Sequence, residues 1–162
     1  MKHGIGSEHP FCDRIQLLMV ISFFIVWSVD SLSFFMLGYS TVIVGFLAFP
    51  ALLTGTMLFL SLSLYLVSKS HKMVLEQVYD PPRFVDSGVY AWVRHPMYLG
   101  TLLFCLSFLS ISVSLVSIGI WIVFFIFYDR MATYEERSLI EILGKQYIAY
   151  QRRVSKWLPK LH

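Results

Sequence analysis

The chain has 162 residues, of which 57% are hydrophobic and only 14% are charged. A soluble domain is about 45–50% apolar and about 25% charged, so this composition excludes an ordinary soluble globule. The charges are also unevenly placed, because no Asp, Glu, Lys or Arg lies between Asp30 and Lys69 or between Arg94 and Asp129. Each gap exceeds the ~20 residues that cross the hydrocarbon core of a bilayer. The sequence therefore predicts an all-α, polytopic membrane protein.

The first predicted elements are two apolar spans. The first covers residues 15–36, and the second covers residues 41–67 after a short turn near residue 38. Pro50 and Gly55 lie inside the second span, where a kink is expected.

A polar segment and a long uncharged stretch follow. Residues 69–95 contain Asp-Pro-Pro and Asp-Ser-Gly, which are loop signals. Residues 97–128 carry no charge, and as one helix they would be about 48 Å long, well beyond a core of about 30 Å. The Ser-Ile-Ser-Val-Ser run at residues 110–114 predicts a turn in the middle. We therefore expect a helical hairpin.

The basic residues indicate how the chain crosses the membrane. Every Lys and Arg lies near the N-terminus, in residues 69–95, or in the tail from residue 129 onward. The positive-inside rule puts these three segments in the cytosol, which requires an even number of crossings after residue 95. The prediction is about four transmembrane helices, with the N- and C-termini cytosolic. Apolar spacing in the tail predicts an amphipathic helix that stops or kinks at Gly144 and binds anionic lipid headgroups.

The densest group of chemically capable side chains stands where the hairpin begins. Pro96 suits the first turn of a helix, where its missing N–H costs nothing. Arg94 and His95 then lie at the cytosolic interface, just before the membrane helix. Tyr98 lies one turn into that helix, and Gly100 leaves room for a close neighbour.

Each of these side chains also has a simpler explanation. Arg94 is explained by snorkelling and Tyr98 by an interfacial aromatic belt, with His95 incidental. Glu135 and Glu136, expected at the end of the last membrane helix, are explained by a solvated face. Taken together, two carboxylates with His, Tyr and Arg would suit a cationic, partly polar cofactor at the membrane surface.

The motif at residues 94–100, Arg-His-Pro-Met-Tyr-Leu-Gly, follows Asp-Ser-Gly-Val-Tyr at residues 86–90. It resembles the Gly-x-Tyr…Arg-His-Pro-x-Tyr-x-Gly signature of the isoprenylcysteine carboxyl methyltransferase family, and related phospholipid methyltransferases show a similar pattern. The apolar hairpin, the Glu pair and a closing Leu-Pro at residues 158–159 continue the pattern in order. The resemblance covers residues 75–160 and implies an integral membrane methyltransferase that uses S-adenosyl-L-methionine.

The resemblance also implies a site. A single domain, residues 1–162, would comprise two N-terminal spans in residues 1–68 and a cofactor-binding half in residues 69–162. The cofactor contacts carried over are Tyr90, His95, Pro96, Tyr98, Gly100, Glu135 and Glu136. The catalytic residues carried over are Arg94, Glu135 and Arg153, in which an Arg would orient a carboxylate acceptor and the Glu would receive the proton of an amine acceptor.

Methyl transfer needs alignment and exclusion of water rather than a metal, and neither Cys12 nor Cys105 has zinc-type spacing. No metal site is expected. The expected acceptor is lipophilic and enters from the bilayer, and isoprenylcysteine-type carboxyl O-methylation is the leading hypothesis.

Phospholipid N-methylation and methylation of free prenylcysteine or a small lipophilic thiol stay open as alternative reactions. A NADPH-dependent membrane reductase of the sterol-reductase type and a non-enzymatic scaffold or carrier are the alternatives outside the class. Membrane lipids are the expected partners, no pattern points to nucleic acid, and the sequence leaves the oligomeric state open.

Overall fold

The computed structural model describes residues 10–38, 42–43, 49–79 and 84–159. These segments form helices, one short 3₁₀ turn and a pair of two-residue strands. In chain order they are α1 (Pro10–Leu37), β1 (Val42–Ile43), α2 (Phe49–Tyr79), a 3₁₀ helix (Gly88–Ala91), α3 (Pro96–Ile111), β2 (Val113–Ser114), α4 (Leu115–Leu143) and α5 (Lys145–Arg153).

Within the described residues, three helical segments are long and apolar enough to cross a membrane. They are Arg14–Leu37, Pro50–Val74 and Leu115–Leu143. The fourth apolar helix, α3, has 16 residues and is about 24 Å long, which is shorter than a typical hydrocarbon core. The predicted all-α polytopic membrane fold is confirmed, with three long spans and one shorter apolar helix.

The expected boundaries of the second span were wrong. The helix α2 begins at Phe49, so Pro50 lies in its first turn, where proline is tolerated, and causes no kink in the interior. At its other end α2 continues to Tyr79 through part of the expected polar loop. Charged residues mark where a helix leaves the apolar layer, but they do not stop its backbone hydrogen bonds.

The last membrane helix also continues beyond its expected end. α4 extends to Leu143, so Glu135 and Glu136 lie within a continuous helix and not at its end. It stops at Gly144, whose φ of +56° suits glycine and turns the chain into α5. The predicted stop at this glycine is confirmed.

The predicted hairpin between α3 and α4 is confirmed. β2 lies in the turn and pairs antiparallel with β1, a contact that the sequence did not indicate. The hydroxyl of Ser114 accepts a hydrogen bond from the N–H of Ser117 and caps α4. The hydroxyls of Ser31 and Ser112 lie 2.9 Å apart and join α1 to the same turn.

Two interfaces hold the helices together. α3 packs closely on α2 at Gly100, whose carbonyl accepts a 2.7 Å hydrogen bond from the hydroxyl of Ser63. On its other side α3 shares a buried cluster with α1 and α4. Its members are Phe23, Tyr98, Leu102, Cys105, Leu109, Phe124, Tyr128 and Ala132.

Candidate functional site

Glu136 is the centre of a polar network that lies next to the C-terminal part of α4, after its apolar residues. Its Oε1 accepts a 2.7 Å hydrogen bond from Nε of Arg94 and lies 3.1 Å from Nε2 of His95. Its Oε2 accepts a 3.1 Å hydrogen bond from Nε2 of Gln151 on α5. The side chains of Arg94 and Glu136 are only 12% and 11% exposed. One carboxylate therefore ties together the segment before α3, α4 and α5.

Arg94 also fastens the chain that follows α5. Its Nη1 donates to the carbonyls of Gln151, at 3.2 Å, and Val154, at 2.7 Å. Its backbone N–H donates to the carbonyl of Ser155 at 2.9 Å. These contacts hold the guanidinium inside the protein, so Arg94 positions its neighbours.

Glu135 faces a different set of neighbours. Its Oε1 accepts a hydrogen bond from the hydroxyl of Tyr98, and its Oε2 lies 3.6 Å from Nδ1 of His95. The rings of His95 and Tyr98 are stacked, with an interplanar angle of 2°. The Glu135 side chain is 21% exposed, so it is the more accessible carboxylate of the pair.

The helix α5 packs next to the network and contributes two buried tyrosines, Tyr147 and Tyr150. The hydroxyl of Tyr150 donates a 2.7 Å hydrogen bond to the carbonyl of Tyr90, which joins α5 to the 3₁₀ helix. Tyr147 and Tyr150 both pack against the ring of Phe84. Burial raises the pKa of each phenol above its usual value, so both stay protonated at neutral pH.

The structure brings most of the expected site residues together. Arg94, His95, Tyr98, Glu135 and Glu136 are linked by the contacts above.

The other four expected site residues have different surroundings. Pro96 is buried at the start of α3, and Tyr90 takes part through its carbonyl. Gly100 is buried on the α2 side of its helix, and Arg153 pairs at 2.6 Å with Asp86 at the surface, with 62% of its side chain exposed. Arg153 is therefore not part of the network.

Sequence reasoning missed a second polar group on α4. Asp129 accepts hydrogen bonds from Nζ of Lys156 at 2.6 Å and from Nε1 of Trp157 at 2.9 Å. Nζ of Lys156 also lies 2.8 Å from the hydroxyl of Thr133, and the indole lies beside His95, with ring centroids 6.2 Å apart. The signal available in the sequence was the spacing of Asp129 and Glu136, because residues seven apart lie on one face of a helix. The sequence alone predicts that this basic tail binds lipid headgroups.

The arrangement of these side chains suits the binding of a cation and the acceptance of a proton. Among the residues that the structure describes, no group of three or more His, Cys, Asp or Glu side chains is placed to hold a metal ion. Two adjacent carboxylates beside an imidazole and a phenol can bind a cationic or amine group. The accessible Glu135 can also accept a proton.

Comparison with known proteins gives a consistent family. The family described as phospholipid methyltransferase matches residues 45–146, which include the Arg-His-Pro motif and the Glu pair. Human protein-S-isoprenylcysteine O-methyltransferase is 34% identical over 100 residues, covering 57% of this chain and 33% of the relative. Methanethiol S-methyltransferase 1 of Bradyrhizobium diazoefficiens is 27% identical over 145 residues, covering 83% of this chain and 46% of the relative.

A solved structure resembles the whole arrangement of helices. The eukaryotic intramembrane Ras methyltransferase ICMT superimposes with a TM-score of 0.61 at 20% identity, covering 94% of this chain and 53% of that chain. At this identity the likeness establishes the fold. The chain spans between about a third and a half of the length of these relatives. On the match over residues 45–146, the chain belongs to the phospholipid methyltransferase family.

Proposed function

We propose that the protein is a membrane methyltransferase that uses S-adenosyl-L-methionine and methylates a lipophilic acceptor. The reaction that we propose first is isoprenylcysteine-type carboxyl O-methylation. The observation that carries the proposal is the network of His95, Tyr98, Glu135 and Glu136 at the edge of the apolar helices, in a chain of this family. Several relatives are named as isoprenylcysteine O-methyltransferases, which supports this choice of acceptor.

The residues present fit this cofactor. S-adenosyl-L-methionine carries an ammonium group, a sulfonium and ribose hydroxyls, all of which favour carboxylate and phenol partners. Glu135, Tyr98 and His95 would hold these groups, since Glu135 is the accessible carboxylate and the two rings border it. When bound, the cofactor supplies a methyl group on a positively charged sulfur.

The chain contributes alignment and a dry environment. Glu136, held by Arg94, fixes one side of His95 and leaves Glu135 with Tyr98 on the other. An anionic acceptor is neutralised by methylation, and such a reaction gains from losing its water shell. The apolar helices that border the network would keep water away from the acceptor. For an amine acceptor, Glu135 would receive the released proton.

The catalytic arginines carried over from the resemblance are assigned differently here. In this proposal Arg94 acts as a positioning residue through Glu136 and His95. Arg153, held by Asp86 at the surface, has no role in the transfer.

A second acceptor class has one specific observation in its favour. The alignment with methanethiol S-methyltransferase covers 83% of this chain, against 57% for the human isoprenylcysteine enzyme. The longer match therefore extends the likeness to a larger part of the chain. Small lipophilic thiols are therefore the second candidate acceptors.

Purified protein supplied with methyl-labelled cofactor tests the proposal. The acceptors are N-acetyl-S-farnesylcysteine, a short alkanethiol and phosphatidylethanolamine. We expect label on the farnesylcysteine carboxylate. At a cofactor concentration below its KM, the rate should be about a hundredfold lower in Glu135→Gln, because this change removes a charged partner that would hold the cofactor. The matched control is Glu141→Gln, an exposed glutamate on the same helix, which should keep the wild-type rate.

Ligand-induced stabilisation gives an independent answer. A ligand that binds only the folded state raises the melting temperature. S-adenosylhomocysteine should do so and NADPH should not. No transfer to any acceptor together with no stabilisation by S-adenosylhomocysteine would refute the proposal, and stabilisation by NADPH alone would favour a reductase.

A further inference from the structure

The last described residues of the chain, 154–159, form a strap that lies against α4. Asp129 holds the strap, because its Oδ1 accepts hydrogen bonds from Nζ of Lys156 and from Nε1 of Trp157. Nζ of Lys156 also donates to the Asp129 carbonyl at 2.9 Å and contacts the hydroxyl of Thr133. Three polar atoms on two successive turns of α4 therefore bind one lysine of the strap.

The strap is fixed at both of its halves. Asp129 and Glu136 are seven residues apart, which places them on one face of α4, two turns and about 10 Å from each other. Glu136 holds the first half of the strap through Arg94, which bonds the carbonyls of Val154 and Ser155. Asp129 holds the second half. The position of the strap is thus set by two carboxylates of a single helix.

Trp157 occupies a defined place between these two anchors. Its ring lies 6.2 Å from that of His95 and 5.4 Å from that of Phe125, measured between centroids. Phe125 belongs to the apolar part of α4, where the side chains of Ile122 and Ile126 are 49% and 53% exposed. The indole therefore contacts both His95 of the polar network and Phe125 of the apolar part of α4. Its hydrogen bond to Asp129 fixes the orientation of the ring.

We propose that Trp157 is a specificity-determining wall of the acceptor side of the site, and that Asp129 is the positioning residue that holds it. This inference rests on the proposed function. A lipophilic acceptor must pass from the apolar layer to the network around His95, and on the α4 side the indole contacts both His95 and the apolar residue Phe125. The space that Trp157 leaves then sets the size of the acceptor that reaches the reacting groups.

Paired acceptors of different size test the wall. The measurement is kcat/KM for S-geranyl-, S-farnesyl- and S-geranylgeranyl-cysteine derivatives, with the KM for S-adenosyl-L-methionine determined in parallel. Trp157→Ala should change the preference between the shortest and longest acceptor by about tenfold, because a pocket that gains or loses a few carbons discriminates on that scale. The KM for the cofactor should stay within about twofold of the wild-type value, since the wall faces the acceptor.

Two further pairs separate the wall from general damage to the fold. Asp129→Leu should reproduce the effect of Trp157→Ala, whereas Asp129→Asn, which still accepts the indole N–H, should largely restore the wild-type preference. Trp157→Phe retains a ring and guards against a variant that does not fold. Trp92→Ala is the matched control, because Trp92 is exposed and stacks on Tyr65.

The outcomes distinguish this inference from the proposed function. If the wild-type protein methylates and Trp157→Ala keeps the wild-type acceptor preference, the wall is refuted and the proposed function stands. If Trp157→Ala raises the KM for the cofactor as much as that for the acceptors, the indole serves the cofactor and the inference is overturned. Wild-type protein that neither methylates nor responds to S-adenosylhomocysteine refutes both.

Discussion

At the scale of single residues, the two adjacent glutamates have different environments. Neighbouring residues on a helix point about 100° apart, so their side chains meet largely different partners. Glu136 contacts Arg94, Gln151 and Nε2 of His95. Glu135 contacts Tyr98 and Nδ1 of His95, and its side chain is more exposed. A pair that looks like one unit in the sequence is therefore one structural carboxylate and one accessible carboxylate.

This difference predicts different effects of the same substitution. Glu136→Gln removes the charge that pairs with Arg94 in a site where both side chains are about nine-tenths buried. We therefore expect the free energy of unfolding to fall by about 2–3 kcal/mol. Glu135→Gln should cost less than about 1 kcal/mol, because its side chain is more exposed. Thermal unfolding in detergent measures both. Equal losses of stability would show that the two carboxylates have equivalent structural roles.

At the scale of elements, the interface of α2 and α3 depends on a missing side chain. A Cβ atom at Gly100 would lie 2.6 Å from Cγ2 of Val67 and 3.4 Å from the carbonyl oxygen of Ser63. Membrane helices gain their attraction from such close approach, because lipid offers no hydrophobic drive to bring them together. Gly100 is thus explained by helix packing.

We therefore expect Gly100→Ala to force α2 and α3 apart and lower the stability by about 1–3 kcal/mol, as overpacking does. Gly119→Ala is the matched control, since a Cβ there meets nothing within 4 Å. The double variant Gly100→Ala with Val67→Ala should recover much of the loss. Melting temperatures of the four proteins decide the matter, and equal values for the two alanine variants would contradict the packing argument.

Helix boundaries were the least predictable feature at this scale. The hairpin was anticipated because a 32-residue uncharged stretch is too long for one crossing and has a serine-rich centre. The ends of α2 and α4 were not, because both helices continue through charged segments to Tyr79 and Leu143. Hydropathy reports where the apolar layer ends. Backbone hydrogen bonding continues until a residue such as Gly144 interrupts it.

At the scale of the whole molecule, the site lies at one end of the apolar helices. The network around Glu136 joins the segment before α3, the distal part of α4 and the start of the strap. The paired strands β1 and β2 mark the other end, at the turn between α3 and α4. A hairpin that crosses twice would put the site on the side that holds the basic segments, which we predict to be the cytosol.

Cysteine labelling in sealed vesicles of known orientation tests that topology. In a background with Cys12→Ser and Cys105→Ala, a water-soluble maleimide should label Ser87→Cys from the cytosolic side and Ile111→Cys from the opposite side. Both positions are exposed in the structure. Ile122→Cys is the control, because it is exposed in the middle of the apolar span and should meet no water. Labelling of both introduced cysteines from one side would contradict a hairpin that crosses twice.

The sequence by itself determined the class of fold and the hairpin, and it predicted a group of site residues of which the structure brings most together. These depend on local properties, namely runs of apolar residues, the placement of charges and a contiguous motif around His95. Only the tertiary structure decided that Gly100 packs on α2, that Arg153 lies at the surface, and that Asp129 holds Trp157 beside His95. The physical reason is that these contacts join segments far apart in the chain. Their distances depend on how the helices pack, which no local pattern encodes.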